Sequence, residues 1–356
     1  MSNPENEKCS SSSAESDMSD VLKRGSSTLC EEHLPKYSSD WNCHLVNKLC
    51  VRYKQEDIIK IIWSEWRLFH LDEDDRLEVE RCVNACDLKL NYESLQDIAP
   101  NTTSPIEEFA KTWGPTQRQL RLIQAEPLLD KFLFKLDEFN YCLAQIVAES
   151  EPNKDISEWK YQCLFEKLLH LFGIYTWSPP FISTKKSQIM GRTMTSKADL
   201  LCCSSDPAVQ RPILCVCEVK KTLPEKVCQP PAKKLRNSSS LDTGNVDNSS
   251  WSQHIGDLFV YLDKSSVNEG ILGISVKKTW VQITFLKVKD PCLEKIRNMP
   301  VNSPRSVKLD DNEYPIFYYS GCQNFLKQSD RKILFKALLT ISLMQKRFEA
   351  GRFATR

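Results

Sequence analysis

The stretch Ile213-Leu-Cys-Val-Cys-Glu-Val-Lys-Lys221 decides how this chain is read. It is short, rich in β-branched residues and cysteine, and preceded by Pro212, which together predict a β-strand. Side chains alternate faces along a strand, so Glu218 and Lys220 point to one side and Val219 to the other. Two charges closing so apolar a run have an ordinary reading, an ion pair at a solvated strand end, which is worth little energetically.

Just upstream, Ala198 to Cys203 is a second short apolar run, and Asp199 stands within it in the lysine-flanked segment Ser196-Lys-Ala-Asp-Leu-Leu-Cys-Cys203. Asp206-Pro207 and the segment Gln-Arg-Pro at 210–212 bracket a turn between the two runs. Pairing the runs as a hairpin brings Asp199 to the same end of the sheet as Glu218. Two such carboxylates can hold Mg²⁺, which takes hard oxygen ligands and keeps part of its water. The metal polarises a phosphoryl group and can generate a hydroxide nucleophile. An ammonium beside them, Lys220, can orient that water or meet growing negative charge, and it offsets the repulsion between the carboxylates. The cluster therefore suits phosphodiester hydrolysis.

Working outward, a helix is predicted over 157–172, capped by Ser157 and stopped by Gly173. A weaker strand is expected around 176–183. Beyond the strand at 213–219 come a Pro-, Ser-, Asn- and Lys-rich insertion, a helix over 252–263 and paired strands over 270–276 and 279–288. The Lys277-Lys278 link lacks the Gly or Asn that two-residue turns favour. An amphipathic helix over 329–346 closes the pattern. This order predicts the α/β (α+β) class, a mixed sheet flanked by helices. Ahead of it, residues 41–150 read as a helical region whose apolar residues, such as Ile58, Ile61, Ile62, Leu129, Phe132 and Leu136, are core positions by default. Residues 1–40 hold 11 serines, eight Asp/Glu and four Lys/Arg, and predict a disordered tail. The expected organisation is a tail over 1–40, a helical region over 41–150, a sheet domain over 151–295 with a mobile insertion over 222–250, and a C-terminal extension over 296–356.

The pattern D-x18-E-x-K, carried by Asp199, Glu218 and Lys220, resembles the PD-(D/E)XK nuclease superfamily of restriction endonucleases, resolvases and exonucleases. Ala198 stands where the family's name has proline. The resemblance covers roughly residues 155–290 and implies a restriction-endonuclease-like domain cleaving DNA or RNA with Mg²⁺ or Mn²⁺. It implies Asp199 and Glu218 as metal ligands, the Val219 carbonyl as a further ligand, and Lys220 serving the nucleophile or transition state. The family usually adds an acidic residue on the helix before the sheet. Glu158 and Glu166 are the candidates, and Glu158 is preferred because it sits nearer the apolar face. Many members also carry a glutamine on the helix after the E-x-K strand. In Trp251-Ser-Gln-His-Ile-Gly-Asp-Leu258 that match is Gln253, and Gly256 on the same stripe would allow close approach to the sheet. The segment 270–276 with Trp280 resembles the hairpin after the core in nuclease-like domains of eukaryotic effector and transposon-related proteins. The alternative is a catalytically inactive member of the same fold that binds nucleic acid or a protein partner, the latter through 41–150.

Composition bounds these readings. The formal net charge is +1 over 356 residues, so a nucleic-acid surface must come from local segregation of charge. From 185 to 236 there are eleven Lys/Arg against four Asp/Glu. Within that segment, Pro-Pro-Ala-Lys-Lys-Leu-Arg at 230–236 resembles a nuclear-import signal. Trp177, Trp251 and Trp280 are candidates for base stacking, with core packing the better expectation for at least two. Fifteen cysteines without a C-x-x-C, and no signal-peptide pattern at the N-terminus, read as reduced thiols of an intracellular protein. No apolar run long enough for a membrane span occurs. P-loop, dinucleotide-binding, G-x-S-x-G and H-E-x-x-H motifs are absent, and the five histidines form no close pair.

Overall fold

In the computed structural model the run at 213–219 becomes an interior strand of a mixed eight-stranded sheet. The structure describes residues 35–63, 69, 71–86, 88–98, 105–150, 155–203, 212–222, 249–299, 309 and 313–354. The tail over 1–34, nearly all of the expected insertion, and the basic segment at 230–236 lie outside the described residues.

The strands are β1 (Arg52–Gln55), β2 (Thr176–Trp177), β3 (Lys185–Ile189), β4 (Arg192–Ser196), β5 (Leu200–Cys203), β6 (Ile213–Lys220), β7 (Gly270–Lys277), β8 (Trp280–Lys287), β9 (Ile316–Tyr319) and β10 (Gln323–Asn324). The helices are α1 (Cys43–Lys48), α2 (Ile58–Trp63), α3 (Glu73–Ala85), α4 (Ile106–Lys111), α5 (Gln117–Ala125), α6 (Phe132–Glu149), α7 (Glu158–Leu171), α8 (Ser249–Tyr261), α9 (Asp290–Asn298) and α10 (Gln328–Ala354). The sheet runs β1-β9-β8-β7-β6-β5-β2, with β10 also on β8, while β3 and β4 pair separately as a hairpin. The β6–β7 and β1–β9 pairs are parallel and the others antiparallel.

Burial explains the sequence of β6. Every residue but Lys220 is buried, as expected of a strand covered on both faces. Cys215, Cys217 and Val219 join the core beneath α2, α3, α6, α7 and α10. Val216 faces the other way, into a core shared with α1, α8 and α9. The mixed α/β class is therefore the observed one, with helices on both sides of the sheet. No helix among the described residues is long and apolar enough to cross a membrane.

Several expected boundaries move. Residues 36–40, expected as tail, are part of the fold. The Lys36 carbonyl accepts from the Thr195 N–H at 2.9 Å, Ser38 is buried, and Trp41 packs on Phe259 of α8. The helical region 41–150 contributes β1 to the sheet, and Ile58, Ile62, Phe132 and Phe139 are consumed in the shared core, whereas Leu77, Leu122 and Phe134 stay exposed. The C-terminal extension supplies β9, β10 and α10. Buried Arg331 on α10 donates to the Leu88 carbonyl at 3.0 Å and the Leu326 carbonyl at 2.8 Å, tying α10 to the expected helical region. The β7–β8 connection uses Lys278 and Thr279, with Lys278 at φ +57 in place of the glycine such a turn favours. Eleven of the described cysteines are free thiols.

Candidate active site

The site forms where β5 and β6 share an end of the sheet. The two strands are antiparallel, with Leu200 opposite Cys217, so Asp199 arrives beside the 218–219 segment. The Val219 N–H donates to Asp199 Oδ2 at 2.7 Å, which fixes the carboxylate against β6. Glu218 is 2% exposed and projects toward α8. Lys220, two residues on and on the same face, places Nζ 2.6 Å from Glu218 Oε1. The contact is an ion pair rather than a well-angled hydrogen bond, because Glu218 Oε1 receives none.

α7 delivers the next groups over the end of β6. Glu158, in its first turn, has Oε1 3.5 Å from Lys220 Nζ, and its Oε2 accepts from the Lys221 N–H at 3.4 Å. Lys221 itself pairs with Asp155. One turn after Glu158, Gln162 donates to the Asp199 carbonyl at 2.8 Å and so clamps the backbone of that residue. Glu166 lies elsewhere. It accepts from Thr176 Oγ1 at 3.1 Å, beside His170, in a network that joins α7 to β2.

α8 brings an acid that the sequence did not single out. Asp257 is 1% exposed, accepts from Ser196 Oγ at 2.7 Å, and its Oδ2 receives no hydrogen bond. It lies close enough to Glu218 for each to perturb the other's titration. Gln253, the expected α8 residue, lies one turn earlier, half-buried, with no hydrogen bond to the cluster among the described residues. Gly256 also has a different role. A Cβ there would meet the Trp41 ring at 2.7 Å, so the glycine admits Trp41, not the sheet. The close approach of α8 to the sheet is at Gly273, where a Cβ would sit 2.7 Å from His254 Nε2. His254 is fully buried, meets Thr284 Oγ1 at 2.8 Å, and is held neutral, pushed down to about 3 by burial and then by Lys277 and Lys220.

Electrostatics follow from four carboxyl groups around one ammonium. Burial first, and then the charge of Glu218, push Asp199 up to about 7, against the Val219 N–H and Lys220. Burial, then Asp257, raise Glu218 well above the carboxylate range, opposed by Lys220. Burial likewise raises Asp257, against its hydrogen bonds to Ser38, Glu218 and Ser196. Burial would lower Lys220, but Glu218, Glu158 and Asp199 outweigh it and raise its pKa. Acids crowded this closely hold protons until a cation replaces them. The oxygen donors and the excess of negative charge fit a hard divalent ion.

The carboxylates do not close around a point by themselves. Among the described residues, the one trio of His, Cys, Asp or Glu with donor atoms mutually within 4.8 Å is Cys202, Cys215 and Cys217, buried on the opposite face of the sheet. A hard ion at Asp199 and Glu218 would complete its shell with the Val219 carbonyl and water, as Mg²⁺ commonly does. Compared with known proteins, the chain matches no family model, no curated protein and no solved structure.

Proposed function

We propose that the chain is a metal-dependent nuclease-like phosphodiesterase of the PD-(D/E)XK kind, acting on DNA or RNA. The observation that carries this reading is the meeting of Asp199, Glu218 and Lys220 at one sheet end, with Glu158 and Asp257 completing an acidic surround. Asp199 and Glu218 would hold Mg²⁺ or Mn²⁺, which when bound supplies Lewis-acid polarisation of the phosphoryl group and an activated water. Lys220, kept charged by Glu218 and Glu158, would orient that water or meet negative charge as it develops, a role its contacts with both acids support. Gln162 and the Val219 N–H hold Asp199 in place, so its carboxylate needs little reorganisation. The basic segment at 230–236 supports a nuclear setting for this activity.

The test is cleavage of mixed DNA and RNA substrates with Mg²⁺ or Mn²⁺ by wild type, Glu218→Ala and Lys220→Ala. Cutting by wild type, lost in both variants while they stay folded, supports the assignment. One observation favours a second reading. The Glu218 side chain is only 3% exposed and already engaged by Lys220. A retired site locked in that way would bind nucleic acid with the usual salt dependence, in wild type and both variants alike, and never cut.

A further inference from the structure

A cavity of about 430 Å³ lies against β5 and the C-terminal end of α8. Trp177, Phe181, Leu201, Tyr261, Lys186 and Lys264 are among the residues that line it. Asp199, at the bend before β5, stands two residues from Leu201, a chain span of at most about 7 Å. That is comparable to one sugar–phosphate repeat of an extended strand. Tyr261 joins the two places physically. It lines the cavity, and its hydroxyl accepts from the Ala198 N–H at 3.4 Å, next to Asp199.

The walls are aromatic and the rim is basic. Trp177 stands edge-on between Tyr175 and Phe181, with ring centroids 5.9 and 6.0 Å away. Phe181 is 72% exposed. Lys185, Lys186 and Lys264 surround the opening, and the acid beside them, Asp263, is paired with Lys185 at 2.8 Å. Open aromatic faces next to an excess of ammonium groups suit a flat base that carries a phosphate.

We infer that this cavity is a subsite for the base of an unpaired nucleotide adjoining the phosphodiester at Asp199 and Glu218, so that the substrate is single-stranded nucleic acid. The inference rests on the phosphodiesterase reading for its register, and on the cavity for its chemistry. Every base has a π-face, so stacking on Phe181 and Trp177 selects against pairing rather than for sequence. A base inside a duplex is already stacked and must be flipped out, at an energetic cost, to enter. Lys186, exposed at the rim, meets the backbone phosphate.

Fluorescence anisotropy on the full chain, without a metal that supports cutting, tests this. The probes are a short oligothymidylate, an abasic oligomer of equal length and a blunt duplex. The oligothymidylate is expected to bind about tenfold more tightly than the abasic strand, and more tightly than the duplex. Phe181→Ala should remove about tenfold of the oligothymidylate affinity while leaving abasic binding and the unfolding midpoint unchanged. Lys186→Ala should weaken both strands and lower the salt slope by about one. Equal binding of the oligothymidylate and the abasic strand, preference for the duplex, or an inert Phe181→Ala would overturn the subsite. Cutting assays separate the two readings. If Phe181→Ala loses binding but no metal supports cleavage, the subsite stands and the phosphodiesterase falls. If wild type cuts duplex and single strand alike and Phe181→Ala cuts normally, the subsite falls and the phosphodiesterase stands.

Discussion

Lys220 Nζ lies 2.6 Å from Glu218 Oε1, and the carboxylate it meets is almost wholly withdrawn from water. The lysine is the nearest cation to an acid that also faces Asp257. Replacing it therefore leaves two buried acids without their counter-ion. Lys220→Met is expected to lower stability by about 1–3 kcal/mol, the range for a buried polar group that loses its partner. The loss is limited because Glu218 can take up a proton, which is easier in acid. Urea unfolding should show a larger deficit at pH 9 than at pH 5. Equal deficits at the two pH values would mean that the pair is not electrostatically linked.

A second prediction concerns Asp199, whose carboxyl is pushed up to about 7 by burial and then by Glu218. The unfolded chain releases this proton near the ordinary aspartate value of about 4. The folded state therefore binds more protons across that window, and stability falls as pH rises. The contribution is fully present below about pH 4 and is lost as pH climbs through about 7. In metal-free protein the melting temperature should drop between pH 5 and pH 8. Asp199→Asn should flatten the slope, and saturating Mn²⁺ should raise the midpoint most at the alkaline end, where the cation replaces the proton. An unchanged slope in Asp199→Asn would remove this residue from the account.

These two predictions rest on residues that announced themselves. A run as apolar as 213–219 fits an interior strand covered on both faces, and Glu218 and Lys220 interrupt it. Asp257 was hidden for the converse reason. Among the described residues it is one of three buried polar residues on α8, with Ser252 and His254, and its hydrogen bonds come from Ser196 and from Ser38, a residue whose surroundings read as tail. The β3–β4 hairpin was missed because Lys-Lys-Ser-Gln-Ile and Arg-Thr-Met-Thr-Ser lack an apolar alternation, though Gly191 at φ +69 marks its turn. β1, Arg-Tyr-Lys-Gln, is polar because it is the sheet's edge, where charged residues are common. Local pattern reveals a strand when both faces are buried. It is silent when the partner is distant in sequence.

The contact between Trp41 and Gly256 tests whether the segment before α1 belongs to the fold. A Cβ at 256 would lie 2.7 Å from the Trp41 ring, so Gly256→Ala should cost about 1–3 kcal/mol by overpacking. Trp41→Ala should cost about 3–5 kcal/mol, as for a buried aromatic removed from a core. In the Trp41→Ala background the clash is gone, and Ala at a helix-interior position is favoured over Gly by up to about 1 kcal/mol. Gly256→Ala should then be neutral or stabilising. The double-mutant cycle should give a strong coupling, whereas additive effects would place Trp41 away from α8.

The last prediction sets Gln253 against Asp257, one turn apart on α8. The family resemblance points to Gln253, and the geometry points to Asp257. Asp257 is buried, shifts the titration of Glu218 and is itself held by Ser196, so it controls how readily Glu218 ionises. Asp257→Asn keeps the shape but removes one acid from the pair, so Glu218 should ionise at lower pH. If the site cuts, the acidic limb of its pH–rate profile should move to lower pH in Asp257→Asn, because the metal-binding form of Glu218 then appears earlier. Gln253→Ala, lacking any hydrogen bond to the cluster, should leave that limb where it was and change the rate by no more than about twofold, or about 0.4 kcal/mol. The reverse pattern, a displaced rate in Gln253→Ala and an unmoved limb in Asp257→Asn, would restore the glutamine and reduce Asp257 to packing. Unfolding midpoints of both variants separate a moved pH limb from simple loss of fold, since misfolding lowers the amplitude at every pH and does not shift the limb.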